Sequence, residues 1–433
     1  SERSARAAAA RQPNRYGFLR DQQGPVVDPL YAFGLPDWWV YPAHALGPLV
    51  DDAPATSPKA ADALAKGQFA RQPVGAGPFR LASWAAGDRL TLAARSDYHG
   101  GAPRAKTLVL KLGTTDALRA GLRDGDVDLL LGDAATGAEP SSGVRIESAP
   151  DTAWEHLDLN LDDQALRDPA VRSALMAAID REALARAAGG TALDGVPGGR
   201  PPVAPARAAP TGTPAGVPSP CSSRGARGGD CGPDPAAAGR ALDAAGWAIG
   251  ADGVRTKSGH RLQLRLLTTD SPLRARLAGA IAQQLAQVGV EVRVEARPAA
   301  ELFDRPAGRL AQRDFDLALF ASVGGPDPLS DLADLYGSAA IPGRGNAFTG
   351  ENVAGLRSAE LDRAVGEAAG TLDANRRLEL LRTIQEVVAR ELPTIPLFVY
   401  PRAIAVEERL LGARPAPRVV GETWNAASWS IAP

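Results

Sequence analysis

The stretch FASVGGPDP, residues 320–328, breaks an apolar run into Gly324-Gly325-Pro326 and leaves one acid, Asp327, in the corner. Two readings suit such a corner. Glycines let a ligand approach the backbone, which offers N–H and C=O groups without a charged anchor. Alternatively, glycine and proline simply turn the chain. Catalytic constellations are scarcer. The sequence has no GxSxG elbow, no HExxH pair and no GxxxxGK[ST] phosphate loop. GAGPFR at 75–80 begins like a dinucleotide loop but lacks the third glycine and leads into a strand. The four histidines, His44, His99, His156 and His260, are far apart on different elements, which argues against a metal site. Acids sit mostly at helix caps and turns, where aspartate is expected anyway. With no nucleophile paired to a base along the chain, the sequence predicts neither enzyme activity nor a cofactor.

Two cysteines, Cys221 and Cys231, lie in PSPCSSRGARGGDCGPDP. A local disulfide is geometrically easy there and is the expected state, since a bridge is one way to order a loop so poor in core residues. It would imply an oxidising, extracytoplasmic compartment. The alternative is two free thiols in a cytosolic loop.

The elements that must hold these residues are legible in part. At 433 residues the chain can hold two or three domains. Its 45% hydrophobic and 23% charged content with net charge −2 gives no electrostatic reason for nucleic acid or an anionic membrane as partner. No apolar run approaches the roughly 18 residues that a membrane span needs. Ser1 is not an initiator and Met176 is the sole methionine, so the chain is expected to be processed or cut, with any targeting segment out of view.

GPFRLASW and DRLTLAA read as two strands about Ala86-Gly87-Asp88, and KTLVLKL (106–112) as a third. TDALRAGLRDGDVDLLLG reads as a helix stopped at Gly125, then a strand from Val127 to Leu131. Asp168-Pro169 caps a helix with Val171, Leu175, Ala178 and Ile179 on one stripe and Gly189 at its end. Residues 192–233 are rich in Pro, Gly, Ala and Ser and read as a long surface loop. Asp234-Pro235 opens a short helix that ends at Gly246-Trp247. RLQLRLL (261–267), a helix from Ser271-Pro272 to Gly289, VEVRV (290–294), a helical stretch near 299–311 and FDLALF (315–320) form β-α-β-α-β. Right-handed crossovers make that an open α/β sheet. Ligands bind beyond the carboxyl ends of such strands, and the 320–328 corner is one of those ends.

Several segments together resemble one family, the extracytoplasmic solute-binding proteins of peptide/nickel-type ABC importers, family 5. PVGAGPFRLASWAAGDRLTLAARSDYHGGAPRAKTLVLKL is similar to its Gly-x-Gly-Pro-aromatic turn, strand pair and Asp-Tyr-x-Gly-Gly. LDLNLDDQALRDPAVRSALMAAIDREAL resembles its Asn-containing strand and following helix. PAAAGRALDAAGW and ELPTIPLFVY resemble its Ala-Gly-Trp helix and its return strand. The match runs in order from about Tyr41 to the end.

The resemblance implies a two-lobe, periplasmic-binding-protein-like α/β clamshell with mixed sheets. Residues 1–40 form a poorly assigned remnant and 41–155 the first lobe, which is incomplete because relatives carry a much longer stretch before Tyr41; the chain is either a fragment or a form that has lost an accessory domain. Residues 156–400 form the second lobe, and 401–433 return to the first. WEHLDLN and PLFVY are the strands near the hinge. The implied protein captures a peptide or similar small solute, delivers it to ABC permease subunits and is monomeric. It works outside the cytoplasm, in the periplasm or on the outer face of the membrane, lipid-anchored in its full-length form. A signalling or scaffold protein that keeps the clamshell is the other reading.

The implied lining is Trp154 and His156, the strand end Leu131-Gly132-Asp133, and Phe320, Ser322, Gly324 and Asp327. Asn346 corresponds to an asparagine that fixes a loop. In peptide-binding relatives this strand end carries a tryptophan and, three residues on, an aspartate for the peptide ammonium. Ala321 and Gly324 stand there instead, leaving Asp327 as the nearby acid, so the solute end facing Gly324 is expected to be neutral or weakly charged.

Overall fold

In the computed structural model, residues 66–136, 138–193, 195–196, 232–325, 328–371, 373–416 and 421–432 are described. The fold is α/β, with one mixed sheet and smaller antiparallel sheets among the described residues, and the chain divides into two compact units whose boundaries fall at 149/150 and 401/402.

The unit made of residues through 149 and from 402 onward carries an antiparallel meander. Strand β1 (Phe79–Ala85) pairs with β2 (Arg89–Ala94), and β2 with β3 (Thr107–Lys111). Gly87 makes the first turn at φ +81°, where a side chain would be strained. Helix α1 (Thr115–Arg123) starts at Thr114, whose hydroxyl accepts the Ala117 N–H at 3.3 Å. The expected strand from Val127 to Leu131 shortens to β4 (Leu129–Leu130). It pairs with the far end of a return strand, β9 (Thr394–Glu407), through Ala405↔Leu130. Leu122, Leu130, Val144 and Ala405 pack beneath it, and Ile404, Val406, Leu410 and Trp429 form a neighbouring cluster.

The unit of residues 150–401 holds the β-α-β-α-β pattern. Strand β6 (Gln263–Thr269) is parallel to both β7 (Glu291–Arg297) and β8 (Leu317–Val323), in the order β7-β6-β8. Beyond β8 comes the long strand β5 (Val144–Leu159), antiparallel to it, and then β9. The parallel strands are joined as the sequence predicts. Between β6 and β7 runs α5 (Pro272–Ala286), which buries Leu277, Ile281 and Leu285 and gives way to Gly289 at φ +84°.

Two helical expectations need correction. The single helix predicted from Pro169 to Gly189 is two, α2 (Pro169–Ala178) and α3 (Arg181–Ala188), whereas the short helix opened by Asp234-Pro235 forms as α4 (Pro235–Ala244). Asp180 breaks the predicted single helix: its carboxylate accepts the Ala183 N–H at 2.8 Å and starts a new helix. The helix expected over 299–311 is only α6 (Ala299–Phe303), with turns after it. Pro306 has no N–H to extend the ladder, yet Leu302 and Leu310 are still buried against Phe315 and Phe320. The main core of the unit joins Leu157, Leu159, Leu175, Ile281, Leu285 and Phe398.

Candidate ligand-binding site

Strand alternation sorts β5 into two faces. Thr152, Trp154, His156 and Asp158 share one. The register Phe320↔His156 and Ser322↔Trp154 puts Phe320 and Ser322 of β8 on the same face. Four residues singled out from the sequence, on strands far apart in the chain, therefore come together. The Trp154 and His156 rings lie 4.4 Å apart, His156 meets Phe320 edge-on at 4.4 Å, and Phe320 meets the exposed Phe303 at 5.8 Å. Trp154, His156 and Phe320 are buried, and Ser322 stays partly exposed.

A polar chain crosses this aromatic wall. His156 Nε2 lies 2.9 Å from Ser322 Oγ, and Nδ1 lies 3.1 Å from Asp158 Oδ1. Thr394 on β9 donates its hydroxyl to the same carboxylate. Tyr336, buried at the end of α7 (Pro328–Tyr336), also feels that charge: burial first, then Asp158, pushes its phenol well above the ordinary value, so it stays neutral. The sequence spacing paired no nucleophile with a base; the structure does bring a serine, a histidine and an aspartate into line. Acyl transfer also needs N–H donors aimed at the developing oxyanion, and the corner's two glycine amides are already used. Gly324 N–H donates to Thr152 O at 2.9 Å and Gly325 N–H to Asp331 Oδ2 at 2.7 Å.

The same bonds revise the reading of the corner. Gly324 and Gly325 were expected to offer their amides to a ligand; both are committed within the protein. An acid found at the corner is Asp331, which reaches back to it from the first turn of α7. A Cβ on Gly324 would sit 3.3 Å from Asp331 Oδ2, and one on Gly325 would sit 2.9 Å from Oδ1. The sequence hides this because the carboxylate must fold back from a helix to meet a strand end. An acid three to four residues into a helix that follows a Gly-Gly strand end is the signal that could have found it. Asp327 itself lies outside the described residues, as do Cys221 and Cys231.

The opposite face of β5 is built around charge. Glu155 is fully buried, and Arg274 grips it with Nε–Oε1 at 2.8 Å and Nη2–Oε2 at 3.3 Å. The Tyr400 hydroxyl donates to Oε2 at 2.7 Å. This cluster fastens α5 and β9 to the strand that carries Trp154 and His156.

In the other unit, Leu131 is partly buried against the Ile404–Trp429 cluster, and Gly132 at φ +60° starts the turn Gly132–Ala134, which contains Asp133. Asn346 accepts the Gly343 N–H at 3.0 Å and donates to Ala339 O at 3.2 Å and Ile341 O at 2.9 Å, so it fixes its loop. Among the described residues, no helix is long and apolar enough to cross a membrane.

Comparison with known proteins gives this geometry its context. Residues 28–343 match the model of the bacterial extracellular solute-binding proteins, family 5 Middle. Protein XP55 of Streptomyces lividans is 31% identical over 329 residues, 75% of this chain and 55% of that protein. The oligopeptide-binding protein OppA of Mycobacterium tuberculosis (strain H37Rv) is 27% identical over 369 residues, 82% of this chain and 57% of that protein. The chain thus spans little more than half the length of these two relatives. The structure of the Bacillus subtilis oligopeptide-binding protein AppA, in complex with a nonapeptide, shares the fold at TM-score 0.60 and 23% identity, over 91% of this chain and 72% of that one.

Proposed function

Because this chain belongs to the bacterial extracellular solute-binding proteins of family 5, which bind solutes and are not enzymes, we propose that it captures a small solute of peptide class and hands it to the permease of an ABC importer. The observation that carries the proposal is the wall of Trp154, His156, Phe320 and Ser322. It combines aromatic surface with a partly exposed hydroxyl, the mixture that small-molecule sites use for affinity and orientation. The oligopeptide-binding relatives OppA and AppA suggest the solute class. Gly324 and Asp327 extend the proposed lining, and the protein works outside the cytoplasm as a monomer. Around the corner the partners are side chains and carbonyls, since the two glycine amides are taken.

Native mass spectrometry of the full-length protein, purified without refolding, tests the proposal. The expected result is a bound species heavier than the bare chain that releases a peptide-class solute on denaturation. A protein that carries nothing and retains nothing from an added mixture of short peptides would overturn it.

A further inference from the structure

The hydrogen-bond chain behind the wall fixes where its protons lie. A carboxylate oxygen only accepts, so Asp158 Oδ1, 3.1 Å from Nδ1, requires the His156 proton on Nδ1. In a ring that carries one proton, Nε2 then keeps a bare lone pair. Ser322 Oγ, 2.9 Å away, must donate its one hydrogen inward to that nitrogen. Thr394 also donates to Asp158, and Tyr336, kept neutral by burial, adds no competing charge. His156, Asp158 and Thr394 are buried; of the four linked residues only Ser322 is partly exposed.

We propose that His156 and Asp158 act as positioning residues that hold the Ser322 proton inward, so that Ser322 Oγ faces the solute as a hydrogen-bond acceptor and selects a solute group that donates an N–H or O–H. A free serine hydroxyl rotates to suit either polarity; this one does not. The selected group is an amide N–H, an amine or a hydroxyl, and a solute carboxylate or carbonyl at the same point meets lone pair against lone pair. The inference rests on the solute-binding reading for its consequence but not for the proton's position.

Two measurements test it on the full-length protein. The first needs no ligand. With histidine 15N-labelled, the His156→Gln variant identifies the ring system of His156. The expected result is a proton on Nδ1 and an unprotonated Nε2; a proton on Nε2 overturns the proposal. The second uses an equimolar pool of random tripeptides, with retention read by mass spectrometry. Ser322→Ala should lower retention about 10-fold, the worth of one hydrogen bond of this kind. Asp158→Asn, which releases the tautomer, should lower it similarly, and the double variant should lose no more than either single one. Full additivity, or unchanged retention in Ser322→Ala, overturns the proposal. Wild-type protein that retains no tripeptide contradicts the peptide reading instead, and the proton on His156 still decides this one.

Discussion

The Arg274 guanidinium lies along the Glu155 carboxylate at 2.8 and 3.3 Å, and the Glu155 side chain has no exposed surface. Such a pair is stabilising only while complete, because either partner alone is a buried charge without compensation. Arg274→Ala should therefore cost about 3–5 kcal/mol, whereas Glu155→Gln, which keeps the shape and some hydrogen bonding, should cost less. Urea unfolding of both variants measures the difference. Equal small losses would mean that the pair does not secure the strand.

Tyr400 offers a pH signature of the same cluster. Burial first, then the adjacent Glu155, raises its phenol above the ordinary value, although Arg274 pulls the other way. The sign follows directly. The folded protein keeps this proton where the unfolded chain releases it, near pH 10. The associated stability is intact below about pH 10 and is lost as pH rises from there through the higher folded value. Tyr400→Phe should be about 1 kcal/mol less stable at pH 8 and should lose less between pH 9.5 and 11. Parallel alkaline curves for the two proteins would remove Tyr400 from this role.

At the strand corner, Gly325→Ala tests the clasp to Asp331. The new Cβ would sit 2.9 Å from Asp331 Oδ1, so the carboxylate must move off the Gly325 N–H. A charge-assisted bond of this kind is worth about 1.5–3 kcal/mol. The expected loss lies in that range, with the β8–α7 junction exchanging amide hydrogen faster. Gly324→Asp should be costly too, because it brings a second carboxylate against Asp331.

For Cys221 and Cys231 the proposal is a disulfide, as the proposed extracytoplasmic role would allow. Thiol labelling of the denatured, non-reduced full-length chain should find neither cysteine free. Two labelled thiols would contradict it.

Much of the fold was readable because its signals are local. Asp168-Pro169, Asp234-Pro235 and Ser271-Pro272 mark helix starts, and apolar alternation marks β1, β2 and β6. Asp180 was also locally readable as a cap, but the apolar stripe running past it hid the break. The site was legible as residue names and not as an arrangement. Trp154 and His156 were placed on a strand and Ser322 at another strand's end, yet their pairing depends on the register of β5 with β8 across 166 residues of sequence. Asp158, Thr394 and Asp331 went unseen for the same reason. Each acts through a partner on another element, and single-chain spacing carries no record of that contact.

Solute retention by a variant blocked at the wall tests the central claim most directly. Ser322→Leu fills the partly exposed position beside Trp154 with an apolar side chain that can neither accept nor donate. The tripeptide pool, equilibrated with wild type and with Ser322→Leu and read by native mass spectrometry, should remain on the wild type. On the variant, retention should fall at least about 10-fold while unfolding stays cooperative. A folded Ser322→Leu variant that retains the pool as well as the wild type would contradict the assignment of this wall to solute capture.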